Sequence, residues 1–339
     1  MNLSYRIENL PFRYPFTISK GTKTHQPTFI VCLEWNGIRG YGEAPAIAYY
    51  DITVEQMAED LERKKNMVGK FALTDPARYW HFLHHLFPKN PFLVCALDMA
   101  GWDLYGKIRR TPLYRLFGIA EKKCLVSDYT IGIDTTDVMI AKMVEKTWPV
   151  YKIKVGTEGD LERLEFLRMQ TDAAFRVDAN AGWQLQEATE KINRCRDLGV
   201  ELVEQPLAKD GWDDMKTLIA QSPLPLFADE SCVSEQDVQK CAGFFHGINI
   251  KLTKCSGITP ALRMIREARQ LGLKIMLGCM NESTIGTAAM AHLSPLVDYL
   301  DADGPLLLAE DLATGLHYEE GRLSIPDAPG LGINLINPF

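Results

Sequence analysis

The feature that most constrains this chain is a ladder of charged residues, each closing or following a short apolar run. Lys152 and Lys154 lie in VYKIKVG, Asp178 in FRVDAN, Glu204 in ELVEQP, Asp229 in LFADES, Lys251 in INIKL, and Asp301 and Asp303 in YLDADG. The rungs recur about every 25 residues, the length of one strand, one helix and two short loops. Such a repeat predicts a parallel sheet closed into a (β/α) barrel, whose strand carboxyl ends carry the chemistry. Candidate strands fall at 124–131, 150–155, 175–178, 201–204, 226–228, 247–251, 274–278 and 299–301. Amphipathic segments such as QLQEATEKINRCRDLG and ITPALRMIREARQLG lie between them. Ser234 with Asp237 reads as a capping box, and Gly199 and Gly272 sit where helices end.

The residues before the ladder follow another pattern. TFIVCLEWNG and IRGYGEA read as a hairpin turned at Asn36-Gly37. Residues 54–118 read as helical, and PFLVCALDMAGWDLYGKIRR is apolar around most of its circumference. The expected fold class is therefore α/β, a (β/α)7β modified TIM barrel behind an N-terminal α+β capping domain. Expected boundaries are 1–120 for the cap and 121–315 for the barrel, with 316–339 returning to the cap. YEEGRLSIP reads as a last hairpin directed toward that domain.

A net charge of −7, with no basic stripe, argues against a nucleic-acid partner. No apolar run approaches a membrane span, and the first residues lack the pattern of a signal peptide. The eight cysteines are scattered with no C-x-x-C pair, which favours a reduced cytoplasm over a disulfide framework or zinc ribbon. A homo-oligomer is compatible with the sequence. His81, His84 and His85 have helical ligand spacing but no acid beside them, so a half-buried helix face is the expected reading.

Period-2 alternation puts Lys152 and Lys154 on the face opposite Tyr151, Ile153 and Val155, hence inside the barrel. Asp178, Glu204 and Asp229 end consecutive strands. Three carboxylates that close need a cation, and an all-oxygen set favours Mg²⁺. Asn180 and Glu230 flank these ligands as supporting groups. The second strand lies across an eight-stranded barrel from the sixth, so Lys154 faces Lys251. A carboxylate substrate on Mg²⁺ would hold its α-carbon between two amines. One amine takes the α-proton and the other returns it from the opposite side, a 1,1-proton transfer through an enediolate. Lys152 is expected to lower the pKa of Lys154 and to balance enediolate charge. Asp301 and Asp303 share a face and suit a substrate ammonium, which together with the carboxylate describes a dipeptide. Thr130, at the end of the first strand, joins the same substrate group.

Lys152-Ile-Lys154, Asp178-Ala-Asn180, Glu204-Gln-Pro206, Asp229-Glu230-Ser231 and Lys251 together resemble the enolase superfamily, muconate-lactonizing subgroup. Asp301-x-Asp303 is similar to its dipeptide epimerases, the L-Ala-D/L-Glu epimerases above all. The resemblance implies that the capping domain closes the barrel mouth and that residues 19–25 form a specificity loop. Some relatives have an arginine there; this chain has Gly21, with Lys20 and Lys23 on either side to bind an acidic substrate side chain. Glu282, in MNES, resembles an active-site position that contacts substrate. The expected function is a cytoplasmic Mg²⁺-dependent epimerase inverting the C-terminal residue of a dipeptide, most readily L-Ala-D/L-Glu in peptidoglycan turnover. Rivals on the same scaffold are o-succinylbenzoate synthase and N-acyl amino acid racemase. Rivals of other classes are a Schiff-base lysine aldolase and a catalytically silent binding protein.

Overall fold

The computed structural model describes residues 1–339. Three antiparallel strands open the chain: β1 (Asn2–Ile18), β2 (Gly21–Trp35) and β3 (Ile38–Pro45). Trp35 pairs with Ile38, and Asn36 and Gly37 take φ of 50° and 76°. This is the left-handed pair a two-residue hairpin requires. The β1–β2 hairpin is equally tight, with Ile18 paired to Gly21. Helices α1 (Val54–Lys70), α2 (Pro76–Leu86) and α3 (Pro91–Ile108) follow.

Helix α3 is apolar all round because it is sandwiched. One side lies on β3 so closely that a Cβ at Gly42 would sit 2.0 Å from the Ala96 carbonyl oxygen. Its other side meets the barrel, where Asp98 accepts the Thr259 amide (3.0 Å) and hydroxyl (2.7 Å).

The barrel strands are β4 (Tyr129–Ile131), β5 (Val150–Lys154), β6 (Ala174–Asp178), β7 (Val200–Glu204), β8 (Leu226–Ala228), β9 (Gly247–Lys251), β10 (Lys274–Gly278) and β11 (Tyr299–Asp301). They pair in parallel in sequence order. The ring closes where Ser127 bridges Leu300 in parallel and the Asp128 amide donates to the Leu300 carbonyl (3.1 Å). Helices fill seven crossovers. After β11 only a four-residue helical turn, Gly304–Leu307, takes the place of an eighth, so the architecture is (β/α)7β.

Outward residues such as Tyr151, Ile153, Val177, Val203, Ile250 and Leu277 join the large core beneath the helices. Inside, Leu202, Phe227 and Met276 with Tyr299 form an apolar floor. Arg176 lies over the Tyr299 ring and donates to Asp128 (3.0 Å). Charged side chains sit above that floor because the inward positions nearer the mouth are polar or charged, apart from Gly278 on β10.

The hairpin at Tyr318–Leu323 docks on residues 125–127, with the Ser127 amide on Gly321 and the Leu323 amide on Leu125. It therefore lies on the barrel, against the segment that leads into β4, and not toward the capping domain as its sequence position suggested. Residues 330–339 reach the cap: the Leu331 amide donates to Asp103 of α3, and Arg6 of β1 donates to the Asn337 carbonyl. His292, on the helix Thr284–Leu293, ties three segments together. Its Nδ1 accepts the Tyr114 amide (3.3 Å), so Nε2–H donates to the Leu331 carbonyl (3.2 Å).

Burial presses the His292 imidazole down to about 4 from its ordinary 6.5. Between those values the unfolded chain binds more protons than the folded one, so this group's contribution is intact above 6.5 and is lost as pH falls toward 4. Unfolding by denaturant, compared between the wild type and His292→Gln, should show a gap that narrows by up to about 3 kcal/mol across that window. A gap independent of pH contradicts it.

Candidate functional site

The barrel mouth gathers the charged ladder. Lys152 Nζ lies 2.7 Å from Asp301 Oδ2, 2.8 Å from Glu204 Oε2 and 3.3 Å from Asp178 Oδ2. Lys154 donates to Asp178 Oδ2 at 2.6 Å and Lys251 to Asp229 Oδ2 at 2.9 Å. Asp178 and Glu204 are register partners on β6 and β7, and Asp229 lies just past the end of β8. Thus Asp178 and Glu204 converge on one ammonium, whereas Asp229 takes its positive partners from Lys251 and Lys254.

Lys254 is one of three participants that a search for strand-end charges passes over. It sits in the helical turn after β9, enclosed by Asp229 Oδ1 (2.6 Å) and the carbonyls of Asp229, Cys232 and Asn249. Asn249, inward on β9, donates to Glu204 Oε1 at 2.8 Å. Gln205, held at φ 36°, accepts the amides of Asp229 and Ser231 and so aims the β8 end. The spacing of Lys251 and Lys254, three apart, and the polar Asn249 inside an apolar strand are the signals that would have found two of them.

The charges control one another. Burial opposes the Lys152 charge, but Asp301, Glu204 and Asp178 outweigh it and hold the ammonium well above the usual lysine range. Burial likewise opposes Lys251, and Asp229 outweighs it. Burial would raise Asp178, yet Lys154 and Lys152 draw it down to about 2. Asp229 is drawn down in the same way by Lys251 and Lys254. Glu204 goes the other way. Burial, then Asp178 and Asp229, push it up to about 7 despite Lys152.

This donor set suits a hard divalent ion: three buried carboxylates on adjacent strands, with no imidazole or thiol among them. Glu204 Oε2 has only the Lys152 ammonium near it, outside hydrogen-bonding geometry, and Glu230 Oε2 and Asn180 Oδ1 have no hydrogen-bond partner. A buried carboxyl raised by its acidic neighbours, with the donorless oxygens of Glu230 and Asn180 in the same mouth, is what a cation would relieve. Asp178, Glu204 and Asp229 are the residues that would hold it.

A cavity of about 320 Å³ opens above, lined by Lys154, Lys251, Asp229, Glu230, Asn180, Asp301 and Thr130 from the barrel. The cap contributes Phe16, Ile18, residues 20–23 and residues 47–50. Lys20 is engaged by Glu230 Oε1 (2.7 Å) and lies over the Tyr49 ring. Lys23 meets only the neutral Gln26 Oε1 (3.3 Å); burial, then Lys251, lower its pKa. Asp303 accepts the Thr130 amide (2.6 Å) and sits behind Asp301. Glu282 does not reach the cavity. It is buried behind Met280 and Asn281, with Oε2 accepting the Met280 amide, and burial and then Glu43 push it up to about 7. Glu43, from β3, accepts the Ser283 amide and hydroxyl and the Gly286 amide, fixing this loop to the cap.

The sequence agrees with this geometry when set against known proteins. Residues 2–118 match the mandelate racemase / muconate lactonizing enzyme N-terminal domain, and residues 137–337 match the enolase C-terminal domain-like family. The chain belongs to the enolase superfamily. Among superfamily members it is 45% identical over 336 residues to the L-Ala-D/L-amino acid epimerase of Flavobacterium johnsoniae, covering 99% of this chain and 100% of that protein. The substrate-liganded L-Ala-D/L-Glu epimerase of Bacillus subtilis superposes with a TM-score of 0.93 at 28% identity, with 98% of each chain covered. The dipeptide epimerase of Cytophaga hutchinsonii, complexed with Mg and D-Ala-L-Val, gives a TM-score of 0.91 at 26% identity, covering 99% of this chain and 96% of that one.

Because Glu204 is held near 7, it must lose a proton to become a ligand, so metal affinity rises with pH. Calorimetric titration of Mg²⁺ in buffers of different ionisation enthalpy should show release of about half a proton at pH 7. Glu204→Gln should abolish that release and weaken Mg²⁺ binding at least about tenfold. Binding with no proton release contradicts the assignment.

Proposed function

We propose that this enolase-superfamily protein is a Mg²⁺-dependent dipeptide epimerase that inverts the α-carbon of the C-terminal residue. One observation carries the reading: Lys154 on β5 and Lys251 on β9, four strands apart in an eight-stranded barrel, line the same cavity as Asp301. Amines on opposite walls act on opposite faces of one carbon. A Mg²⁺ ion held by Asp178, Glu204 and Asp229 supplies positive charge to the substrate carboxylate, without which an adjacent C–H is too weak an acid.

The chain's own residues do the rest. One lysine, neutral, takes the α-proton; the other, charged, delivers a proton to the opposite face, and the roles exchange for the reverse direction. Lys251 is kept charged in the resting site by Asp229. Lys152 stays charged among Asp301, Glu204 and Asp178 and faces the negative charge that develops on the substrate. Asp301 and Asp303 take the N-terminal ammonium. Thr130 orients Asp303 through its amide. Asn180 and Glu230 border the metal acids. Glu282 supports the loop that carries Met280.

The two cap lysines divide their tasks. Glu230 neutralises Lys20, while Lys23 holds a half-buried amine without an acid beside it. Lys23 is thus the residue that reads an acidic second side chain, as in L-Ala-D/L-Glu, the dipeptide of peptidoglycan turnover. The apolar lining by Phe16, Ile18, Ile47, Tyr49, Tyr50 and Met280 favours a second reading, in which uncharged second residues are accepted as well. The relative named for L-Ala-D/L-amino acids is in keeping with that range. Eight free cysteines, most of them buried, fit action in the cytoplasm.

In D₂O, the wild type should wash deuterium into the α-position of the second residue of L-Ala-L-Glu and L-Ala-D-Glu. Lys154→Ala and Lys251→Ala should each lose interconversion by at least about 10³-fold, and each should retain exchange with one epimer only, a different one in the two variants. Exchange of both epimers by either variant, or none by the wild type with any dipeptide, would sink the mechanism. Lys23→Ala should cut kcat/KM for L-Ala-D-Glu by about 10–100-fold and leave L-Ala-L-Leu within about threefold. Equal losses on both substrates would remove Lys23 from specificity.

A further inference from the structure

Cys279 lies just past the end of β10, buried and facing the same cavity. Its Sγ is 3.6 Å from Asp303 Oδ1 and 3.9 Å from Asp301 Oδ1, and the three donor atoms lie within 4.8 Å of one another. The other oxygen of each aspartate is occupied. Lys152 donates to Asp301 Oδ2, and the Thr130 amide donates to Asp303 Oδ2. The thiol has one hydrogen for two acceptors, so one of two almost wholly buried carboxylate oxygens, aimed at the same point, has no donor from it.

We propose that Cys279, Asp301 and Asp303 form a second metal site, specific for a thiophilic divalent ion of the Zn²⁺ class, which inhibits by occupying the place of the substrate ammonium. The competitive part rests on the reading of Asp301 and Asp303 given above.

Distances, charge and ligand chemistry agree. A tetrahedral ion with Zn–S of about 2.3 Å and Zn–O of about 2.1 Å sets sulfur and oxygen about 3.6 Å apart. Asp303 Oδ1 is already at 3.6 Å, and Asp301 Oδ1, at 3.9 Å, needs to move only a few tenths of an ångström. Two carboxylates and a thiolate beside the Lys152 ammonium leave two negative charges, which a divalent ion balances. Binding breaks the S–H bond, releases that proton to solvent and forms a metal–sulfur bond. The open cavity leaves the fourth position to water. Mg²⁺, which shuns sulfur, keeps to the all-oxygen acids on β6 to β8. The fixed second oxygens of Asp301 and Asp303 hold the ligands in place.

The test is a titration of the enzyme in saturating Mg²⁺ with Cd²⁺, followed by the ultraviolet thiolate-to-cadmium charge-transfer band and by dipeptide epimerisation. One equivalent of Cd²⁺ should raise the band, and Cd²⁺ should raise the apparent KM while leaving kcat unchanged. A free dipeptide should discharge the band, and its N-acetylated form should not. Cys279→Ser and Cys279→Ala should lack the band and need more than about tenfold higher Cd²⁺ for equal inhibition, at least the loss caused by removing an outer-shell partner. A band that persists in both variants, or no band in the wild type, overturns the site. A band lost in the variants but indifferent to free dipeptide upholds the metal site and overturns ammonium binding at Asp301 and Asp303.

Discussion

Everything at the open end of the barrel depends on burying carboxylates and ammonium ions in one another's reach. Asp178, Glu204, Asp229 and Asp301 are almost wholly buried, as are Lys152, Lys154, Lys251 and Lys254. Taking such groups out of water costs several kcal/mol each, and their mutual attraction recovers it only with close geometry. Replacing buried ion pairs by well-packed apolar residues is often neutral or stabilising, so stability is a weak reason for such a cluster and chemistry a better one. The fold supplies the geometry by ending adjacent strands in register, by Gln205 tying β7 to β8, and by Asn249 holding Glu204 from β9.

The capping domain and the barrel divide the work, and buried acids join them. Glu43 reaches from β3 to cap the helix Thr284–Leu293, Asp98 reaches from α3 to Thr259, and Asp103 fastens the tail. Each acid satisfies backbone amides that would otherwise be orphaned where the two bodies meet. The β1–β2 turn then hangs over the mouth as a roof. In the proposed reading the reacting lysines sit on strands, where packing fixes them, and side-chain selection sits on a hairpin.

The sequence carried much of this, for identifiable reasons. A barrel strand is buried on both faces, so Lys152 and Lys154 inside VYKIKVG can only point to a functional interior. Counting strands then puts Lys154 across from Lys251. The Asn36-Gly37 hairpin, the Ser234 capping box and the helix ends at Gly199 and Gly272 are local and were legible for that reason. What stayed hidden was partnership at long range. Glu230 pairs with Lys20 across 210 residues, so the difference between Lys20 and Lys23 emerges only from the fold. Glu282 and Met280 are two positions apart, yet one turns behind the loop and the other faces the cavity. Lys254 lies in a turn beyond its strand, and Cys279 looks like any other scattered cysteine until Asp301 and Asp303 are seen beside it.

The central claim is that two lysines remove and return the proton of one carbon on opposite faces. A crystal structure of the enzyme with Mg²⁺ and L-Ala-L-Glu measures it directly. The account predicts the α-carbon of the second residue between Lys154 Nζ and Lys251 Nζ, within about 3.5 Å of each, as a near-attack geometry demands. Both amines on the same face of that carbon, or either one turned out of its reach, would contradict it.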